Sequence, residues 1–309
     1  MAIPSAALRR GDTIGIVTLG SPLGAEEIRQ RIAYLQGMGF RVVIGKHVFD
    51  QNGFLAGTDR ERAEDLMGMF ADPSVKLILP TRGGTGVEGI LPYLDYGFIQ
   101  SHPKLISGYS DITVLLNALY QFAGIVTLHS LLLLDFRPST PAYNFEQFFS
   151  AASSAVVPRP IANPAEIPPL KARVPGIACG PIVGGNLTSL VGTLGTPWEI
   201  DTRGKILLLE ETHEPINTVY RYIEQLRLAG KLADCGGIVM GECTECAEAY
   251  GKSYEDIIGE FIVPLGKPLL TGLASAHGKY KAAVPIGACV YMDANGASLT
   301  LLQPAVRPA

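Results

Sequence analysis

Ser110 sits in the run Leu105-Ile106-Ser107-Gly108-Tyr109-Ser110-Asp111-Ile112-Thr113, where a short apolar strand meets a turn and then a helix. Apolar Val114, Leu115, Leu116, Ala118 and Leu119 mark the helix, with polar Asp111 and Thr113 near its start. A serine on such a corner projects from the C-terminal edge of a sheet, and the first helical amides face any anion that forms there. This is the pattern of a nucleophile elbow, G-x-S-x-G, with Ile112 in place of its second glycine. The same residues also fit a Ser-Asp helix cap with no chemistry.

A serine nucleophile needs an oxyanion site, a base and a group to orient the base. Arg82-Gly83-Gly84-Thr85-Gly86-Val87-Glu88-Gly89 follows the apolar strand Lys76-Leu77-Ile78-Leu79. Gly84, Gly86 and Gly89 match the dinucleotide fingerprint G-x-G-x-x-G, with Asp111 about twenty residues on. Pro80-Thr81-Arg82 before the glycines, Glu88 among them and Pro92 after them weaken that reading. An oxyanion loop, whose bare backbone lets amides approach a substrate oxygen, fits better, and a plain turn stays open.

Of five histidines, His47 and His102 fall in turns and His213 follows a carboxylate pair. His129 ends a strand close to the elbow helix, and His277 lies in Leu273-Ala274-Ser275-Ala276-His277-Gly278, so both are candidate bases. The strand Lys205-Ile206-Leu207-Leu208-Leu209 runs into Glu210-Glu211, carboxylates at the strand end where α/β sheets place their sites. Cys243-Thr244-Glu245-Cys246 has the spacing of half a zinc site. Cys179, Cys235 and Cys289 are isolated and no histidine completes a tetrad, so reduced structural thiols and no metal are expected.

Up to about residue 135 strand and helix patterns alternate, which favours a parallel sheet covered on both faces. Strands are expected at Thr13–Leu19, Arg41–Ile44, Lys76–Leu79, the elbow strand and Ile125–Leu128. Helices are expected over Ile28–Met38 and over Thr58–Phe70, the latter with Asp59-Arg60-Glu61-Arg62 on its wet side. Nine prolines between Pro138 and Pro181 read as an inter-domain connection, with one helix near Phe145–Ala152. The expected division is a nucleophile domain at 1–138, a linker at 139–180 and a smaller α/β domain at 181–309.

A chain of 309 residues with net charge −4 and no dense basic cluster argues against nucleic acid as partner. The N-terminus lacks the order of a secretory signal and no apolar run is long enough to span a bilayer. A cytoplasmic protein with no membrane partner is expected.

These segments, taken in order over nearly the whole length, resemble the LD-carboxypeptidases, a serine peptidase family that includes microcin C immunity peptidases. The resemblance rests on Arg10-Gly11-Asp12-Thr13-Ile14, Gly57-Thr58-Asp59 with Arg62, the glycine loop, and Pro103-Lys104 before the elbow. It continues through Gly184-Gly185-Asn186-Leu187, Gly195-Thr196-Pro197, Leu208-Leu209-Glu210-Glu211 and His277-Gly278. It implies Ser110 as nucleophile, His277 as base and Glu210 as its orienting carboxylate, with the amides of Gly84 and Asp111 as oxyanion hole. It also implies a flavodoxin-like N-terminal domain, a smaller C-terminal one and a site in the cleft between them, with no cofactor. The implied substrate is a murein tetrapeptide that loses its terminal D-alanine in cell-wall recycling, and a homodimer is compatible with it. Arg82 is a candidate to hold the substrate carboxylate. Thr85, where the family often has Tyr, and Ser130-Leu131, where it often has Gly-Pro, bear on substrate preference. Trp198 could form a platform for a nucleobase, as an immunity-type peptidase would need, but is read first as core. Readings outside catalysis are a dinucleotide-binding protein and a non-catalytic binder of wall peptides.

Overall fold

A computed structural model describes residues 1–308. The chain forms two compact units: Met1–Ala155 with Ala283–Gly287 and the residues from Pro304, and Val156–Ala282 with Ala288–Gln303.

The first unit is built on a six-stranded sheet. Five parallel strands, Thr13–Val17, Arg41–Ile44, Val75–Pro80, Leu105–Gly108 and Thr127–His129, lie in the spatial order second, first, third, fourth, fifth. That is the doubly wound, flavodoxin-like order, and it places a topological switch between Thr13–Val17 and Val75–Pro80. Every residue of Thr13–Val17 is buried, as expected for a strand covered on both faces. Helix Ala25–Gly37 buries Ile28, Ile32 and Leu35. Helix Asp59–Ala71 starts at a capping box in which Thr58 and Glu61 satisfy each other's backbone amides. Arg62 is not on its wet side: it is 1% exposed, and its guanidinium turns inward.

The proline-rich stretch is not a linker. Helix Ala142–Ser153 packs within the first unit, where Phe145 stacks on Tyr34 and Phe148 meets Phe136 edge-on. The boundary falls at 155/156, and the rest of the proline-rich stretch belongs to the second unit. Arg159–Pro160 and Lys171–Val174 form the two edges of its eight-stranded sheet. Edge strands tolerate proline because one row of their amides needs no partner, so a run of prolines does not exclude a strand. The interior holds parallel Ile177–Asn186, Ile206–Thr212, Gly237–Thr244 and Leu269–Leu273. Nor is 181–309 continuous. Val284–Ile286 returns to the first unit and pairs antiparallel with Thr127–His129, and Val306–Arg307 pairs with Ser5–Ala6.

Lys104 precedes the elbow strand and donates to the Asp72 carbonyl, just past the end of helix Asp59–Ala71. Burial lowers its ammonium to about 8 from 10.5. The unfolded chain holds that proton more tightly between those values, so Lys104 makes the fold gain stability as pH rises from about 8 to about 10.5. Urea unfolding of wild type against Lys104→Met is expected to show the wild type gaining relative to the variant over that interval. Parallel pH profiles would contradict this.

Candidate active site

Between strand Leu105–Gly108 and helix Ile112–Ala118, Ser110 has φ 61°. A residue with a Cβ pays about 1–2 kcal/mol for that left-handed conformation and keeps it only where its surroundings enforce it. The enforcement is visible. Tyr109 and Asp111 are buried on either side, while Ser110 itself is partly exposed. The Ser110 carbonyl accepts the Thr113 amide at 2.9 Å. A Cβ on Gly108 would come within 2.7 Å of Ile112, so Ile112 fills the space where the usual elbow has its second glycine.

Asp111 stands at the N-cap of the elbow helix without a side-chain cap hydrogen bond. Its Oδ2 instead accepts the Val87 amide at 2.8 Å and thereby ties the glycine loop to the elbow. A Cβ on Gly83 would lie 2.9 Å from Ser110 Oγ and 3.0 Å from the Asp111 nitrogen, so bare loop backbone lies against the serine. Gly84 and Gly86 take φ values of 92° and 99°. On its other side the loop rests on Ser21, whose Oγ accepts the Thr85 amide at 3.1 Å and whose amide donates to the Gly83 carbonyl at 3.2 Å. The buried Arg62 guanidinium donates to the carbonyls of Leu19 and Gly86 and to Asp59, which joins the loops after the first and third strands. Thr85 is exposed and Arg82 half-buried beside Gly83.

The dinucleotide reading does not fit this loop. A short 3-10 segment, Val87–Tyr93, interrupted by Pro92, follows the glycines where a long helix should begin, and Asp111 is engaged by Val87. The sequence reading missed Ser21 and the inward turn of Arg62. Gly20-Ser21 directly after the first strand, at the switch point, was the available signal for the former.

In the second unit Glu210 lies in the last half of strand Ile206–Thr212 and is 1% exposed. Its Oε2 lies 2.8 Å from His277 Nδ1. Burial raises the Glu210 pKa; the His277 contact opposes that shift and Glu211 adds to it. A register shift between Leu209 and Glu211 lets two successive carboxylates both be buried. Glu211 is fully occupied: it accepts the Asn186 amide at 3.1 Å, the Thr188 amide at 2.8 Å and the Thr188 hydroxyl at 2.6 Å. The structure thus separates two carboxylates that spacing alone left equivalent.

The His277 loop is closed by the Ala282 amide donating to the Ala274 carbonyl at 2.9 Å. Ala276, at φ 60°, turns the chain just before the histidine, and buried Lys281 donates to the Ala276 carbonyl. The Glu210 contact on Nδ1 fixes the orientation of the imidazole ring. The other histidines have different settings. His129 is wholly buried in the first unit's sheet, between Gly108 and Val284. His47 pairs with Asp50 at 2.7 Å, and His213 is an exposed partner of Glu245 at 3.0 Å. Trp198 is half-exposed rather than core.

The expectation of reduced thiols fails at one pair. Cys243 and Cys246 form a disulfide with Cα atoms 5.5 Å apart, because Glu245 in the left-handed region folds the C-x-x-C turn tightly. Cys179 and Cys289 are free thiols whose sulfurs share a hydrogen bond at 3.9 Å.

Residues 14–130 match the family model described as LD-carboxypeptidase N-terminal domain, and residues 179–292 match the LD-carboxypeptidase C-terminal domain. A probable murein peptide carboxypeptidase of Bacillus subtilis is 38% identical over 296 residues, covering 93% of this chain and 90% of that protein. The crystallised microcin C7 self-immunity protein MccF in its wild-type apo state has a TM-score of 0.88 at 26% identity, covering 99% and 100% of the two chains. Muramoyltetrapeptide carboxypeptidase from Oxalobacter formigenes has a TM-score of 0.84 at 26% identity, covering 96% and 100%.

The strain at the elbow is testable by stability alone. Ser110→Gly is expected to be more stable than Ser110→Ala by about 1 kcal/mol in urea unfolding, because glycine adopts positive φ without penalty. Equal stabilities would mean the conformation carries no strain.

Proposed function

Because the chain belongs to the LD-carboxypeptidase family, we propose that it hydrolyses the L,D-amide bond of murein tetrapeptides and releases terminal D-alanine, with Ser110, His277 and Glu210 as its triad. The observation that carries the reading is the His277–Glu210 pair at 2.8 Å, a base already oriented by a buried carboxylate. Ser110, on its strained corner with glycine backbone against Oγ, is the matching nucleophile.

In this mechanism His277 Nε2 takes the Ser110 proton as Oγ attacks the scissile carbonyl. The Asp111 and Gly84 amides receive the oxyanion, and Glu210 stabilises the imidazolium. His277 then protonates the departing amine of D-alanine, and water, activated by the same base, hydrolyses the acyl-enzyme. Arg82 is assigned to the substrate's terminal carboxylate and Thr85 to its neighbourhood. Ser110 belongs to the first unit and Glu210 and His277 to the second, so the proposed chemistry draws on both. No helix among the described residues is long and apolar enough to cross a membrane. The reading places the activity in the cytoplasm, on peptides recovered from the wall, and leaves room for a homodimer.

The likeness to MccF and the half-exposed Trp198 favour one second reading, cleavage of an aminoacyl nucleotide amide. Wild type is expected to release D-alanine from a muropeptide tetrapeptide, read by mass spectrometry, while Ser110→Ala and His277→Ala release none. Glu210→Gln should lower kcat by roughly 10³–10⁴. Undiminished release by Ser110→Ala would overturn the mechanism. Turnover of an aminoacyl sulfamoyl adenylate without tetrapeptide cleavage would move the protein to the second reading.

A further inference from the structure

At the end of the first unit's sheet opposite Ser110, a cavity of about 200 Å³ opens where the parallel strands Val75–Pro80 and Leu105–Gly108 begin. Every ionisable side chain that lines it is basic: Lys76, His102, Lys104 and Arg307. The rest of the wall is apolar, with Phe70, Ala71 and Pro73 among it. The four basic residues come from separate parts of the chain. Lys76 is the second residue of one strand, His102 caps the end of the short helix Tyr96–Ser101, and Lys104 precedes the next strand. Arg307 is supplied by the terminal pair Ser5–Ala6 and Val306–Arg307. Only the fold gathers them.

Their charge is poorly matched by the protein. Lys104 is 8% exposed, and of the three donors on its ammonium one goes to the Asp72 carbonyl. Lys76 donates to the Pro73 carbonyl at 3.3 Å. Both acceptors are neutral, and Lys76, Lys104 and Arg307 make no ion pair among the described residues. One carboxylate, Asp72, favours the charged form of Lys104, but its side chain accepts the Ser74 amide at 2.8 Å and lies outside the lining. The like charge of Lys76 bears on Lys104 in the opposite sense and adds to the effect of burial. A buried ammonium with donors to spare and a second cation beside it is a setting that an anion relieves.

We propose that this cavity binds a phosphate-type dianion, either the free ion or the head of a small phosphomonoester, held by Lys104 within and by Lys76 and Arg307 at its mouth. A flat carboxylate offers two oxygens and one charge. A phosphate group offers at least three acceptor oxygens and a charge near −2, which donors converging from three segments can share. A guanidinium takes two such oxygens in one fork. Size sets the upper limit: at about 200 Å³ the cavity is smaller than the pockets that hold drug-sized molecules, so it admits a phosphate with a short remainder and not a tetrapeptide. The site is independent of the peptidase reading and lies at the far end of the strand that leads to Ser110.

The test is a calorimetric titration of the whole chain with inorganic phosphate, glycerol 3-phosphate and acetate at pH 8 and fixed ionic strength. At least one of the two phosphates should bind about tenfold or more tightly than acetate, and the tighter of them identifies the source, free ion or ester. Lys76 is half-buried and Arg307 exposed, so Lys76→Gln and Arg307→Gln should keep the wild-type unfolding midpoint in phosphate-free buffer. Each should weaken phosphate about tenfold, the loss of one charge-assisted contact. Binding should also draw protons from solution, because the Lys104 ammonium, lowered to about 8 by burial, is part-deprotonated at that pH and is charged again by the anion. Heats measured in two buffers of different ionisation enthalpy read this uptake, and Lys104→Met should abolish it. Acetate bound as tightly as both phosphates, affinity unaltered in both rim variants, or binding without proton uptake would each overturn the assignment.

Discussion

A carboxylate at 1% exposure is the constraint on which the proposed chemistry depends. Removing such a charge from water costs several kcal/mol, and only a matched, hydrogen-bonded partner offsets it. Glu210 is bonded to His277 Nδ1, and Asn186 also favours its ionised form, while its Oε1 has no hydrogen-bond partner among the described residues. Burial therefore pushes its pKa up, and a positive charge on the neighbouring imidazole is the event that stabilises the ionised form. Beside Glu210, Glu211 accepts from the Asn186 and Thr188 donors, and backbone at Gly241 closes over the Glu210 Cβ.

The first unit solves a complementary problem by steric means. Its serine is held in an unfavourable conformation while a loop of glycine backbone is pressed against it. The grip comes from three directions: Asp111 on Val87, Ser21 on Thr85, and Arg62 on the carbonyls of Leu19 and Gly86. None of these three side chains needs to touch a substrate. They fix where backbone amides point, and an oxyanion site made of amides is only as good as that fixation. A buried arginine is an expensive way to join two loops, yet it offers several donors in one rigid plane to carbonyls that would otherwise be left bare.

The residue types of the chemistry were legible in the sequence because strand-to-helix corners and strand ends have strong local signals. Ser110, Glu210 and the glycine loop all follow directly on apolar strands. His277 was weaker, since a loop histidine has no periodicity to identify it, and His129 at a strand end competed with it. What stayed hidden depends on tertiary partners. Arg62 falls within a run of charged residues that reads as a solvated helix face, and only the carbonyls of distant loops explain its inward turn. The strands at Arg159–Pro160 and Lys171–Val174 lay unread beneath prolines, because edge pairing is set by the partner strand and not by the segment's own pattern. The Cys243–Cys246 bond likewise follows from one left-handed turn residue, Glu245, which the spacing of the cysteines does not reveal.

The return of Val284–Ile286 to the first sheet has a consequence for how the molecule comes into being. During synthesis the elbow strand, its helix and the glycine loop emerge early, but Thr127–His129 stays an open edge until more than half of the remaining chain has followed. An unpaired, apolar edge strand is a template for association with other chains. The closing strand arrives only after the histidine loop has been made, since that loop lies immediately before it in sequence. The sheet that leads into Ser110 is thus sealed by the segment that follows His277, and a shortened chain that lacks His277 also lacks the seal. Truncation would yield a sticky fragment rather than a stable protein with an unpaired serine.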